Sequence, residues 1–340
     1  MTLTTDVDLT THRFHAHDAY RTSARMMRVT EVRPLTAQIT HLRFVPADGG
    51  PLTAYQPGSH LVVTAGTTRN AYSLVDDGIN PSSYGISVMR RGRGGGSDWL
   101  HDHVAPGDLV EVEGPRSMFA PVLNQRHALL VAGGIGVTPV LSHARAIARL
   151  GGSAEILYSY RSGHAAHLED LHALAETHDS VTLREATTVE ATVAMLTARF
   201  ADQPLGTHAY ACGPLPLLET YQELAAAAGW PPTRVHLERF SAPEQDPGSP
   251  FTAIVASTGQ RLEVAPGVSL LTALLDAGLP VPNLCRQGVC GECRISVRTP
   301  RAGSIEHRDL VLSDHDRASG DILLCCVSRG VEHSEIEVLL

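Results

Sequence analysis

Four cysteines constrain what this 340-residue chain can fold into more than any other feature. Cys285, Cys290 and Cys293 stand at C-x4-C-x2-C spacing, and a further cysteine pair, Cys325-Cys326, follows downstream. That spacing is the one that holds a [2Fe–2S] cluster. Each iron takes two thiolates, with bridging sulfides completing both tetrahedra, so four cysteines are needed. Gly288 and Gly291 fall between the ligands, where a loop wrapping a cluster needs positive φ and amides turned toward sulfur. A structural zinc site is the alternative, although it more often shows two C-x2-C knuckles at shorter separation.

The fourth place is contested. Residues 322–328 read as a strand, so adjacent side chains point to opposite faces and only one of the two cysteines can ligate. In plant-type ferredoxins the distal ligand is typically followed by Val or another small residue, and Cys326-Val327-Ser328-Arg329 is similar. Cys326 is therefore the expected ligand, with Cys325 a small buried apolar side chain.

The length suits two or three domains, and 43% hydrophobic with 19% charged residues suits real cores. All the basic residues are Arg. A formal charge of −9 argues against nucleic acid or an anionic membrane surface as partner. With four of six cysteines assigned, no disulfide framework is left, which fits a reducing cytoplasm. Residues 1–25 read as a flexible extension without the apolar core of a signal peptide, and no stretch is long enough to span a bilayer. His12, His15 and His17 beside Asp18 are expected to be a solvated terminus, not a chelate, because no scaffold fixes them.

Taken in order, residues 26–122 show short strands at 27–33, 40–45, 60–64, 71–75, 84–90 and 109–113, the pattern of a small antiparallel β-barrel. Residues 123–240 alternate strand and helix, the signature of a doubly wound α/β domain with a parallel sheet. Residues 241–250 are a linker by composition, and 251–340 form an α+β cluster-bearing domain.

Motifs now fall into a consistent order. Asn70-Ala71-Tyr72-Ser73-Leu74 lies in the barrel, followed by the glycine-rich run from Arg90 to Ser97. Gly133-Gly134-Ile135-Gly136 follows an apolar strand, with Thr138-Pro139 as cap and first helical residue. Ala211-Cys212-Gly213-Pro214 comes later, then His236-x-Glu238-x-Phe240, then the cysteines. This succession resembles the phthalate dioxygenase reductase family, single-chain reductases of the ferredoxin-reductase superfamily, over roughly residues 26–340.

The resemblance implies a flavin-binding barrel, an NAD-binding domain and a β-grasp ferredoxin domain. It implies FMN, with Tyr72 packed on the flavin ring and Ser73 near its N5. The family's phosphate-binding Arg is replaced by Asn70, as in similar reductases serving oxygenases of quaternary ammonium substrates, while Arg69 stands one place earlier. Arg93, Gly95, Gly96 and Ser97 are then expected to hold the phosphate. Arg116-Ser117-Met118-Phe119 matches a segment near the flavin, with Ser117 in place of a usual Asn. Gly133, Gly134, Gly136 and Thr138 are expected to face the dinucleotide. Cys212 and Gly213 are expected beside the nicotinamide, although Cys212 also fits a buried structural role, and Glu238 and Phe240 border both rings. Arg161 leaves NADPH open, with NADH favoured.

Electrons would run from NADH through FMN and the cluster to the terminal component of a Rieske-type oxygenase, so no general acid or base is assigned. A cytochrome P450 is the alternative partner. Asn70 and Ser117 also leave room for a flavin-free iron–sulfur carrier or sensor.

Overall fold

The computed structural model describes residues 24–123, 125–299 and 303–340. The His12, His15, His17 and Asp18 group lies outside them. Six strands, β1 (Arg25–Pro34), β2 (Ile39–Pro46), β3 (Ser59–Ala65), β4 (Thr68–Ser73), β5 (Tyr84–Met89) and β6 (Leu109–Ser117), pair antiparallel in the order β4-β3-β6-β1-β2-β5. Leu74 bridges to Ile86, which brings the two edge strands together and closes the barrel. Alternate residues of β3, Leu61, Val63 and Ala65, fill the interior with Phe44 and Ile86. One helix, α1 (Gly96–His103), was not expected. It is short and begins inside the glycine-rich run, and it is held by Leu100 buried in the barrel core.

The second unit is a fully parallel sheet of β7 (His127–Gly133), β8 (Ser153–Ser159), β9 (Val181–Ala186), β10 (His208–Cys212) and β11 (Val235–Glu238) in the order β11-β10-β7-β8-β9. Helices α2 (Val137–Arg149) and α3 (Leu168–Thr177) pack on one face, α4 (Val189–Ala201) and α5 (Leu215–Ala227) on the other. Strand β7 shows why its sequence is a continuous apolar run. Ala128, Leu130 and Ala132 join the first core, Leu129 and Val131 the second. Strand order reverses between β7 and β10, leaving a crevice at their carboxyl ends.

The third unit contains β12 (Phe251–Val255), β13 (Arg261–Val264), α6 (Leu270–Asp276), β14 (Arg294–Arg298), β15 (Ile305–Glu306), α7 (Asp314–Ser319), β16 (Ile322–Leu324), β17 (Arg329–Gly330) and β18 (Glu335–Leu339). Its main sheet runs β13-β12-β18-β14-β16, with β12 and β18 parallel and the other neighbours antiparallel. Ser269 caps α6, its hydroxyl accepting the Thr272 N–H at 3.1 Å.

Two local expectations are corrected. The strand expected over 322–328 stops at Leu324, because the N–H groups of Val327 and Ser328 both turn back onto the Leu324 carbonyl. Thr138 is not the cap of α2. Gly136 occupies that position, and the Thr138 hydroxyl donates instead to the Ile135 carbonyl at 3.0 Å. No helix among the described residues is long and apolar enough to cross a membrane.

Candidate functional site

All three units contribute walls to one cleft of about 1480 Å³. Asn70, Tyr72 and Ser73 reach it from β4, Thr138 from α2, and Glu238 and Phe240 from the end of the parallel sheet. Cys285, Cys290 and Cys326 face it from the C-terminal unit.

The cysteine loop is built to present sulfur. Gly288 and Gly291 have φ of 74° and 77°, and a Cβ on Gly288 would meet Val327 at 2.6 Å. The Gln287 N–H donates to the Cys285 sulfur at 3.4 Å. Sulfurs are grouped: Cys285 with Cys290, and Cys293 with Cys326 and Cys325. Among the described residues no three His, Cys, Asp or Glu side chains close on a single point as one metal ion requires. Two thiolates for each of two irons is the demand of a binuclear cluster, and these residues fit it. The Cys290 S–H and nearby backbone amides lower the Cys285 thiol, and the S–H groups of Cys325 and Cys326 lower Cys293, while the same contacts raise Cys290 and Cys326. Cys325 is fully buried and does not line the cleft. Its N–H donates to the Cys293 carbonyl, and its own carbonyl accepts from Leu271.

The glycine-rich run is arranged differently from expectation. The N–H groups of Arg91 and Gly92 donate to Asp98 Oδ1 at 2.8 and 3.0 Å, and those of Arg93 and Gly94 to Oδ2 at 2.7 Å each. These amides already hold an anion, the chain's own carboxylate, which they bring down to about 2 with desolvation opposing. Arg93 and Ser97 do line the cleft, joined by Arg91, whereas Gly95 and Gly96 do not. Gly96 lets the first turn of α1 press against Thr68 and Asn70. Asn70 thus stands beside a helix N-terminus, with its amide 3.4 Å from the Tyr72 hydroxyl. Arg69 is not brought to the cleft. It points to the opposite face of β4, where Glu113 holds it. Burial pushes the Tyr72 phenol up to about 12, so it is a neutral ring wall. The FMN-binding role expected of this end of the cleft fits a set of neutral donors, two arginines and a helix start.

At the parallel sheet, glycines allow two loops to touch. A Cβ on Gly136 would strike the Cys212 carbonyl, and the Gly213 and Gly133 backbones meet directly. Gly134 has φ 52°. Cys212 is wholly buried and does not line the cleft, so its structural role is the one its position supports. Glu238 does line it, and its Oε2 is buried without a hydrogen-bond partner. Desolvation raises its carboxyl to about 8. An orphaned neutral acid at the carboxyl end of β11, the edge strand beside β10, fits the amide of a pyridine nucleotide. Ser117 is exposed, and Arg161 lies away from the cleft at the end of β8, where Tyr160 donates to Glu185.

Contacts that sequence reasoning missed tie the units together. Arg116 of β6 pairs with Glu292 in the cysteine loop and with Glu113 at 2.9 Å. Linker residues 241–247 form part of the cleft wall instead of a spacer. No local signal marks either, because both are contacts made at long range.

A barrel, a switch-point crevice and a sulfur-bearing loop on one cleft define a modular electron-transfer reductase. Comparison with known proteins agrees. Residues 114–235 match the family described as dimethylamine monooxygenase subunit DmmA-like, N-terminal domain, and 253–329 match the 2Fe-2S iron-sulfur cluster binding domain. The beta subunit of a heme-dependent oxidative N-demethylase from Ectopseudomonas mendocina (strain ymp) is 40% identical, with 89% of this chain and 95% of that protein covered. Phthalate dioxygenase reductase from Burkholderia cepacia is 30% identical, with 89% and 94% covered. A solved phthalate dioxygenase reductase superposes with TM-score 0.72 at 29% identity over 94% of this chain and 98% of that one. An intact type IV self-sufficient cytochrome P450 monooxygenase gives 0.77 at 30% identity over 93% of this chain and 41% of that one. The chain belongs to the phthalate dioxygenase reductase family and is an oxidoreductase of the class that reduces oxygenases.

Proposed function

We propose that the chain carries electrons from NADH through FMN and a [2Fe–2S] cluster to the terminal oxygenase of a Rieske-type system. The shared cleft carries this reading, since flavin, nicotinamide and cluster must come within electron-transfer reach of one another. When bound, the flavin would take hydride from NADH and the cluster would take electrons singly, which is chemistry the side chains lack.

The chain's own part is placement. Cys285, Cys290, Cys293 and Cys326 hold the irons. Asn70, Arg91, Arg93 and Ser97, in the first turn of α1, receive the FMN phosphate, with Asp98 keeping the preceding loop rigid. Tyr72 and Ser73 form the ring wall. The turn at Gly133, Gly134 and Gly136, with Gly213 against it, gives the dinucleotide close backbone approach. Thr138 and Glu238 orient the nicotinamide end, and Phe240 closes it.

A second reading, in which the terminal oxygenase carries haem, is favoured by the 40% identity to the heme-dependent demethylase subunit and by the P450 fusion. The test is an anaerobic visible titration, run separately with NADH and NADPH. Bleaching of flavin and cluster together by stoichiometric NADH is expected. A cluster-only spectrum that neither nucleotide changes would sink the proposal and favour a flavin-free carrier. Titrating the reduced protein into candidate Rieske and haem oxygenases then separates the two partners.

A further inference from the structure

Between the barrel and the parallel sheet lies a second polar row to which the cleft chemistry gives no task. Ser87, in the middle of β5, lines the cleft but is only 4% exposed. Its Oγ lies 2.7 Å from Nε2 of His167 and 3.1 Å from Nδ1 of His41. On its far side, His167 Nδ1 lies 2.7 Å from Asp170 Oδ2, and Arg145 donates to the other carboxylate oxygen at 2.6 Å. The His167 side chain is 2% exposed and that of Asp170 29%. The row therefore runs from the cleft, through a sealed imidazole, to water.

His167 precedes α3 with φ 57°, a backbone region that histidine occupies only at a cost. Ser87 from the barrel and Asp170 from α3 engage its two ring nitrogens. A mere cross-brace would be served as well by apolar packing, without burying titratable groups. Ser87 Oγ is bracketed by two imidazoles, so proton transfer, not attack on an acyl carbon, is the chemistry open to it. Charge around the row comes from Glu31, Arg33, Arg43, Asp76, Arg145 and Asp170, and burial together with His167 and Arg43 holds His41 down at about 4 with Glu31 opposing. His41 is thus a neutral partner that orients the serine hydroxyl.

We propose that Ser87, His167 and Asp170 form a proton relay that drains the cleft to solvent. This rests on the reductase reading above. NADH gives up two electrons and one proton as hydride, and the cluster accepts electrons alone, so one proton per NADH must leave the cleft. Ser87 Oγ takes up that proton as its own passes to His167 Nε2. Asp170 then stabilises the imidazolium until His167 releases one proton to water. One proton enters and one leaves, while both electrons exit through the cluster to the external acceptor.

The test uses the full chain loaded with flavin and cluster, mixed in stopped flow with NADH, ferricyanide as acceptor and a pH-indicator dye. In the wild type, proton release is expected in step with flavin reoxidation. In Ser87→Ala and His167→Gln it should slow roughly tenfold and recover with added imidazole. Independently of turnover, Asp170→Asn should slow exchange of the His167 ring N–H with solvent, read by NMR in the flavin-free protein, by about the same factor. Variant dye traces matching wild type, or a slowing that imidazole does not relieve, would leave only a cross-brace and overturn the relay. Should His167→Gln fail to fold, Ser87→Ala decides alone. A wild-type protein that binds no flavin overturns the reductase reading and the relay with it, whereas flavin-loaded protein with unrescued variants overturns the relay only.

Discussion

Cys325 and Cys326 are neighbours in sequence and both reach Cys293, yet only one of them lines the cleft. Cys326 lines the cleft with Cys285 and Cys290, whereas Cys325 is wholly buried. Cys326→Ser is expected to lose the visible cluster spectrum and bound iron, and Cys325→Ser to keep both. Iron lost from the Cys325 variant alone would reverse the ligand choice. A second prediction concerns Glu238. Its carboxyl titrates near 4.5 when unfolded and about 8 when folded. Below the lower value both states are neutral and nothing is lost. Between the two, the unfolded chain ionises first, so stability falls as pH rises through the folded value. Glu238→Gln should therefore melt with the flavin-free wild type at acid pH and above it at about pH 9, by a few kcal/mol at most. Identical melting curves at both pH values would show that the carboxyl is hydrated. That Cys285, Cys290 and Cys326 share one wall of the cleft could be read from spacing, because cluster chemistry requires such sulfurs to converge. That Arg69 turns away could not, because Glu113 lies on a different strand.

Individual elements were read well where one period ran long enough. Strand β7 and helix α5 are examples, each buried on the faces its pattern implies. Helix α1 was missed for the opposite reason. Its eight residues open on Gly96-Ser97-Asp98, and helix nucleation there depends on Leu100 finding the barrel core. The same element carries the least anticipated feature of the cleft, the capture of four loop amides by Asp98. Sequence reasoning saw glycines that suit an external anion, and the chain supplies an internal one. Asp98→Ala is thus expected to free the loop and weaken FMN retention about tenfold, measured by flavin released on dialysis. Retention equal to wild type would mean the loop has no part in holding the phosphate.

For the molecule as a whole, domain order was readable and domain contact was not. The Arg116–Glu292 pair joins the barrel to the cysteine loop, and both side chains are largely shielded from solvent. Removing Glu292 leaves Arg116 held by Glu113 alone, on the barrel side, and cuts the tie to the cysteine loop. Glu292→Gln is expected to keep its full complement of cluster yet slow flavin-to-cluster electron transfer several-fold in stopped flow, with a shallower dependence on salt because the screened ion pair is gone. A rate and a salt dependence equal to wild type would show that this pair does not seat the loop. Linker geometry sets a further limit. Gln245 is bonded to the Arg308 carbonyl at 2.9 Å, Asp246 to the Arg308 side chain, and Ser249 to Arg329. Between Phe240 and that anchored stretch only residues 241–244 remain, which extend to about 14 Å at full stretch. A tether so short cannot deliver the C-terminal unit to a distant acceptor. A cluster held there would be a fixed terminal, and an acceptor protein would have to come alongside to collect.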